Sequence, residues 1–231
     1  MQTPKRPIGL FGGAFDPPHL GHRYILDMAA KRFGISEWII MPTGQAVHRD
    51  VSQTPSEHRL KMCQLAFAHS EGLEVQVSDF EIQRSQPSYT TDTLSAMQSL
   101  FPNREWFVLI GQDQWDHFQS WKNWRGLLNH AHFIVARRNP DSSFDLTKNH
   151  ANSELFLSHS NKIHELLIEP HGSSSSQLRA ELKQNNRQNT NHLWLDPSVQ
   201  GYITQHHLYA GKTCLLKHNK KSRFKFCNVA L

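Results

Sequence analysis

The sequence predicts a doubly wound α/β domain built on a parallel sheet, and three observations carry that expectation. Near-continuous apolar runs, "PIGLF" (7–11), "WFVLIG" (106–111) and "HFIVAR" (132–137), have the pattern of strands covered on both faces. Amphipathic segments with helical spacing alternate with these runs. A glycine- and proline-rich stretch, "FGGAFDPPHLGH" (11–22), follows the first run directly, at the carboxyl end where such sheets bind ligands.

The elements follow in order. "PIGLF" is the first strand. "HRYILDMAAKRF" (22–33) places Ile25, Leu26, Ala29 and Phe33 at helical spacing, and Gly34 stops the helix. "EWIIMP" (37–42) is the second strand. "TPSEHRLKMCQLAFAH" (54–69) opens a helix with Thr54 as N-cap, Pro55 in the first turn and Glu57 completing a capping box. "LEVQVSDF" (73–80) alternates as a strand does, and "TTDTLSAMQSL" (90–100) is a helix with a threonine cap. Strands at 106–111 and 132–137 follow. A polar stretch from Asn139 to Asn161 reads as a long loop, "KIHELLIEP" (162–170) as a late strand, and helices lie near 175–184 and 197–207. The sum is a Rossmann-like parallel sheet with helices on both faces, in a single domain closed by C-terminal helices.

The 231 residues suit one such domain with a small appendage. The division expected is a domain over 1–210 and a basic tail over 211–231. The tail holds Lys212, Lys217, Lys220, Lys221, Arg223 and Lys225 and no acid; without those six, 19 basic residues face 20 acidic ones. The body is therefore not basic, which argues against a nucleic-acid partner for it. The tail itself reads as a solvated extension, with a nucleotide-binding or RNA-binding module that uses the tail as the rival reading. No apolar run is long enough to cross a bilayer, and the N-terminal apolar stretch is too short for a secretion signal. Three widely spaced cysteines, Cys63, Cys214 and Cys227, suit neither a disulfide framework nor a zinc site, and Cys63 is expected in the core. A cytoplasmic protein without membrane partner is expected.

The chemistry is concentrated in residues 11–22. Gly12 and Gly13 after the first strand would form a turn and admit a ligand to the backbone. A strand, a glycine turn and a helix N-terminus together make an anion site. His19 and His22 stand at its mouth, where imidazoles can donate to phosphate oxygens. The same pair at i, i+3 also fits two metal ligands or two structural histidines, but no third ligand is near in sequence. Asp16 reads as a loop-capping residue.

"GGAFDPPHLGH" resembles the G-G-x-F-D-P-x-H-x-G-H signature of nucleotidyltransferases. The rest of the chain resembles, more narrowly, the bacterial nicotinate-nucleotide adenylyltransferases, over roughly residues 7–210. "PSYTTDTL" (87–94), "GQDQWDHFQSWKNW" (111–124), "ARR" (136–138), "SSSSQLR" (173–179) and "VQGYITQHHLY" (199–209) are similar to that family's successive motifs. Ala14 departs from the family's Thr or Ser and so loses a hydroxyl. Ser173, Ser176 and Leu178 stand for Ile, Thr and Ile, and "AVHRD" (46–50) lacks a proline before His48.

The resemblance implies transfer of the adenylyl group of ATP to nicotinate mononucleotide, with release of pyrophosphate. No covalent enzyme intermediate is required, so positioning and charge stabilisation would carry the catalysis. It implies His19, His22 and Arg179 as catalytic residues. It implies ATP contacts at Gly12, Gly13, Phe15, Asp113, Arg138, Ser174, Ser175 and Ser176. On the mononucleotide side it implies His48, Arg49, Thr91, Trp121 and Lys122, with Trp121 stacking on the pyridine ring. Mg²⁺ would arrive with ATP, and no protein metal site is implied. The partners are then two small molecules, with the chain acting as a monomer or homo-oligomer. Within the same chemistry, the rivals are pantetheine-phosphate or nicotinamide-mononucleotide adenylyltransferases and cytidylyltransferases; the "SYT…TL" and "F…SW" segments argue against these.

Overall fold

A computed structural model describes residues 6–45, 54–70, 72–138, 157–169, 174–184 and 194–210. Six strands, β1 (Arg6–Gly13), β2 (Glu37–Pro42), β3 (Glu74–Val77), β4 (Arg104–Gly111), β5 (His132–Arg137) and β6 (Ile163–Leu167), form one sheet. All pairings are parallel and the order is β3-β2-β1-β4-β5-β6. The order reverses between β1 and β4, and the crevice at such a reversal is where doubly wound sheets hold ligands.

Seven α-helices lie among the described residues: α1 (Leu20–Phe33), α2 (Ser56–Ala66), α3 (Thr90–Leu100), α4 (Gln112–Trp115), α5 (Trp124–His130), α6 (Ser175–Gln184) and α7 (Pro197–Gln205). The period-two alternation of each strand divides its apolar run between two cores. Phe11, Ile40, Phe107, Leu109 and Ile134 face one side, against Leu26 of α1, Met62 and Cys63 of α2, Leu178 of α6 and Val199 of α7. Ile8, Leu10, Ile39, Val108 and Val135 face the other, against Leu94 and Met97 of α3 and Leu127 of α5. Cys63 is fully buried, as expected.

Several local expectations are corrected. Gly12 and Gly13 are not a turn: they are the last residues of β1, in register with Met41 and Pro42, because parallel pairing with β2 continues to the end of both strands. The left-handed residue of the following loop is Phe15, at φ 48°. Thr54 is not the cap of α2. Pro55 holds that position without a side-chain bond, and the Thr54 carbonyl accepts instead from Arg59 Nε at 3.2 Å. Tyr89, not a threonine, precedes α3, again without a capping side chain. β3 is shorter than 73–80 because it is an edge strand paired on one side only, and α7 stops at Gln205. The helices α4 and α5 were not expected; with four and seven residues they are too short to show a helical period. Most of the expected 139–161 loop, and the tail with Cys214 and Cys227, lie outside the described residues.

Candidate active site

The imidazoles three residues apart cap a helix. His19 is the N-cap of α1. Its Nδ1 accepts the Gly21 N–H at 3.1 Å, while its own backbone N–H donates to His22 Nδ1 at 3.2 Å. This reciprocal arrangement is a capping box with imidazole on both sides. It also assigns the tautomers: an Nδ1 that accepts carries no proton, so in each neutral ring the hydrogen sits on Nε2 as a donor. The rings lie 3.8 Å apart at 41°. Burial, with the nearby His19 and Arg138, holds the His22 pKa well below its ordinary value, so the neutral donor is the resident form. The Phe15 ring, 2% exposed, packs edge-on beneath His22 at 5.1 Å; any ligand contact of Phe15 is left to its backbone.

The loop between β1 and α1 is held from four directions. Arg59 of α2, 3% exposed, donates from Nη1 to the Ala14 carbonyl at 2.9 Å and from Nη2 to the Thr43 carbonyl at 2.7 Å. Burial opposes its charge, and the Asp16 carboxylate is the leading charge that offsets this. Arg179 of α6 donates to the Asp16 carbonyl at 2.6 Å and to Ser176 Oγ at 3.1 Å. Ser175 Oγ donates to the Pro17 carbonyl at 2.9 Å. From the C-terminal end, the Tyr209 hydroxyl donates to Asp16 Oδ1 at 2.5 Å and the Trp194 carbonyl accepts the Leu20 N–H at 2.9 Å.

The serine run has bonds of its own within the chain. Ser174 and Gln177 cap α6 reciprocally: Ser174 Oγ accepts the Gln177 N–H at 3.2 Å, and Gln177 Oε1 accepts the Ser174 N–H at 3.0 Å. Ser175 is spent on the loop and Ser176 on Arg179. All three hydroxyls thus bond within the chain. Arg179 sits against the loop between β1 and α1.

The remaining expected residues stand at the carboxyl ends of the strands. Arg138 follows β5 and is exposed, and its charge reaches His22. Asp113 lies in α4, just after β4, and its Oδ1 fills the space that a Cβ on Gly111 would need, 2.7 Å away. A glycine at 111 therefore lets the carboxylate turn back over the end of β4. At the N-terminus of α3, Thr91 Oγ1 donates to the Lys122 carbonyl at 2.9 Å. Lys122 Nζ pairs with Asp92 at 3.0 Å and sits 4.7 Å from the Tyr89 ring centre. Trp121 is half-buried, its ring 5.4 Å from Phe118. The structure thus brings Thr91 to the Trp121–Lys122 pair, 31 positions from Lys122 in sequence. His48, Arg49 and Ser173 lie outside the described residues. No group of three or more His, Cys, Asp or Glu side chains among the described residues is arranged to hold a metal ion.

Arg59 and Tyr209 escaped the sequence reading. Arg59 carried a signal: it shares the i, i+3, i+4, i+7 face of α2 with Met62, Cys63 and Ala66, and an arginine on a buried face needs partners. Tyr209 carried none, since its partner is 193 positions away.

A parallel sheet of this order, with donors gathered at its reversal, is an architecture that holds nucleotides, and the match of the Cytidylyltransferase-like family model to residues 10–181 makes the class a nucleotidyltransferase-like one. Relatives narrow the class. A protein of Albidiferax ferrireducens named "Probable nicotinate-nucleotide adenylyltransferase" is 36% identical over 87% of this chain and 97% of its own length. One of the same name from Pseudomonas aeruginosa is 33% identical over 87% and 96%. The chain belongs to the nicotinate-nucleotide adenylyltransferase family. Among solved structures, the nicotinic acid mononucleotide adenylyltransferase of Plasmodium falciparum complexed with NaAD superposes with a TM-score of 0.69, covering 88% of this chain and 97% of that one at 24% identity. That likeness shows the shared fold.

Proposed function

We propose that the chain transfers the adenylyl group of ATP to nicotinate mononucleotide, giving nicotinate adenine dinucleotide and pyrophosphate in NAD biosynthesis. The observation that supports this reading is the histidine cap: two neutral imidazoles whose Nδ1 atoms accept from backbone, so that each ring carries its hydrogen on Nε2, at the sheet's reversal. A mononucleotide phosphate oxygen attacks the α-phosphorus of ATP. The bond to the β-phosphate oxygen breaks, and the electron pair leaves with pyrophosphate. His19 and His22 stabilise charge on the α-phosphate oxygens, and Arg179 holds the departing phosphates with charge-assisted bonds. Exposed Arg138 adds a further cation on the approach. The backbone of Gly12, Gly13 and Phe15 and the carboxylate of Asp113 complete the ATP side. The substrate is MgATP, since magnesium keeps several waters and binds through substrate phosphates.

The nicotinate carboxylate fits the α3 end of the site. α3 begins without a capping side chain, so its first N–H groups suit an anion, and the Lys122 ammonium stands beside them. Trp121 stacks on the pyridine ring, and His48 and Arg49 serve the mononucleotide phosphate. The described residues include no helix long and apolar enough to cross a membrane. We further propose a cytoplasmic enzyme, monomeric or homo-oligomeric, without nucleic-acid or membrane partners. The test is direct: incubation with ATP, Mg²⁺ and either nicotinate or nicotinamide mononucleotide, following pyrophosphate. Release with the nicotinate form is the expected result; release with neither, or only with the nicotinamide form, refutes the assignment.

A further inference from the structure

The turn that follows α7 is an unusual piece of backbone. His207 (φ 51°) and Tyr209 (φ 63°) both occupy the left-handed region without being glycine, a conformation that persists only where the surroundings enforce it. This turn delivers the Tyr209 hydroxyl to Asp16 Oδ1 at 2.5 Å. The Thr54 side chain makes a second hydrogen bond to the phenol. Burial and the Asp16 charge push the Tyr209 pKa far above its ordinary value, so the phenol keeps its proton and donates at any physiological pH.

Asp16 is 3% exposed and stands three residues before His19. A carboxylate there is a hazard for a site that must take a triphosphate, because like charges repel. Arg59 offsets it from one side, Arg179 holds its backbone carbonyl, and the tyrosine hydroxyl holds the carboxylate itself.

We propose that Tyr209 is a positioning residue for ATP: by holding the Asp16 carboxylate it fixes the segment 14–18 and keeps that negative charge turned from the triphosphate. The proposal rests on the adenylyltransferase reading. It goes beyond it by assigning a role in ATP affinity to a residue far along the chain.

The test is Tyr209→Phe in the full chain, which removes one oxygen and keeps the ring. MgATP affinity is measured by calorimetry and both KM values by steady-state kinetics. The MgATP Kd is expected to rise about tenfold, the usual effect of losing one hydrogen bond to a charged group, while KM for the mononucleotide changes less than about twofold. Thr54→Val, which removes the other hydrogen bond to the phenol, is expected to lower Tm and leave MgATP affinity unchanged. In an Asp16→Asn background, where no carboxylate remains to be held, Tyr209→Phe is expected to cost little further affinity. A Tyr209→Phe protein that melts lower but binds MgATP as its parent does overturns the proposal, as does an undiminished effect in the Asp16→Asn background. A parent that binds MgATP yet makes no pyrophosphate with nicotinate mononucleotide refutes the activity while the Kd comparison still decides the role of Tyr209. A parent that does not bind MgATP overturns both.

Discussion

His19 and His22 satisfy one another across the first turn of α1: the His19 N–H donates to His22 Nδ1 at 3.2 Å. One bond therefore does two things. It closes the helix end, and it commits the His22 proton to Nε2, on the far side of the ring. His22→Ala should lower kcat and kcat/KM together, by on the order of 10²–10³-fold, with little change in KM for the mononucleotide. Steady-state kinetics check this, and a variant within a few-fold of the parent removes His22 from the reaction.

The same arrangement sets a direction for pH dependence. His22, His132 and His164 all have pKa values lowered chiefly by burial. As pH falls, the unfolded chain takes up these protons near 6.5, before the native state does. Stability should then decline from about pH 7 downward until the native pKa values are passed, where this contribution levels off. Denaturant midpoints measured from about pH 7 to about pH 5.5 test the slope. His22→Asn, which keeps an acceptor for the His19 N–H but cannot be protonated, should lessen it, leaving the part due to His132 and His164.

Arg179→Lys should not behave as a conservative change. The guanidinium reaches the Asp16 carbonyl and Ser176 Oγ at once and still presents further N–H groups. An ammonium cannot span that geometry. MgATP affinity should fall roughly tenfold or more, with the mononucleotide KM little affected. Binding as tight as the parent's would show that α6 does not grip phosphate.

Arg59→Met probes the scaffold rather than the chemistry. It leaves the Ala14, Thr43 and Thr54 carbonyls without the donor that serves all three. Orphaning buried acceptors costs about 1–3 kcal/mol for each group left unsatisfied. A stability loss on the order of 3 kcal/mol or more should appear in denaturant unfolding. A loss below about 1 kcal/mol would mean that water replaces the guanidinium readily.

The contrast between His22 and Arg59 explains what was legible in the sequence. Strands β2 and β5 are found at the residues expected, 37–42 and 132–137, because a two-faced parallel strand writes its burial as an unbroken apolar run. His19 and His22 stand three positions apart and so are visible in a short motif, although the cap they form on α1 was not. Thr91 and Lys122, which belong to two separate motifs, meet in the structure. What was hidden is contact over distance and helix too short for a period. Arg59 meets Ala14 across 45 positions and Tyr209 meets Asp16 across 193. The hydrogen bonds of Ser174, Ser175 and Ser176 within the chain were not legible, since a hydroxyl that caps a helix and one that binds phosphate have the same signature.

The tail supplies the last prediction. Tyr209 is tied to Asp16, and Leu208 packs against the core on the α1 face, so the fold reaches at least to position 209. The tail beyond contributes Lys212, Lys217, Lys220, Lys221, Arg223 and Lys225, with no acid of its own. A chain ending after Gly211 keeps every residue placed in the site here and loses only those charges and the apolar residues between them. Turnover, Tm and oligomeric state should be those of the full chain. Retention on a cation-exchange resin at moderate salt should weaken, as expected when mobile surface charges are removed. A drop of several degrees in Tm, or dissociation of an oligomer, would show instead that the alternation of Phe224 and Phe226 with Arg223 and Lys225 marks a strand that docks on the domain or on a second copy.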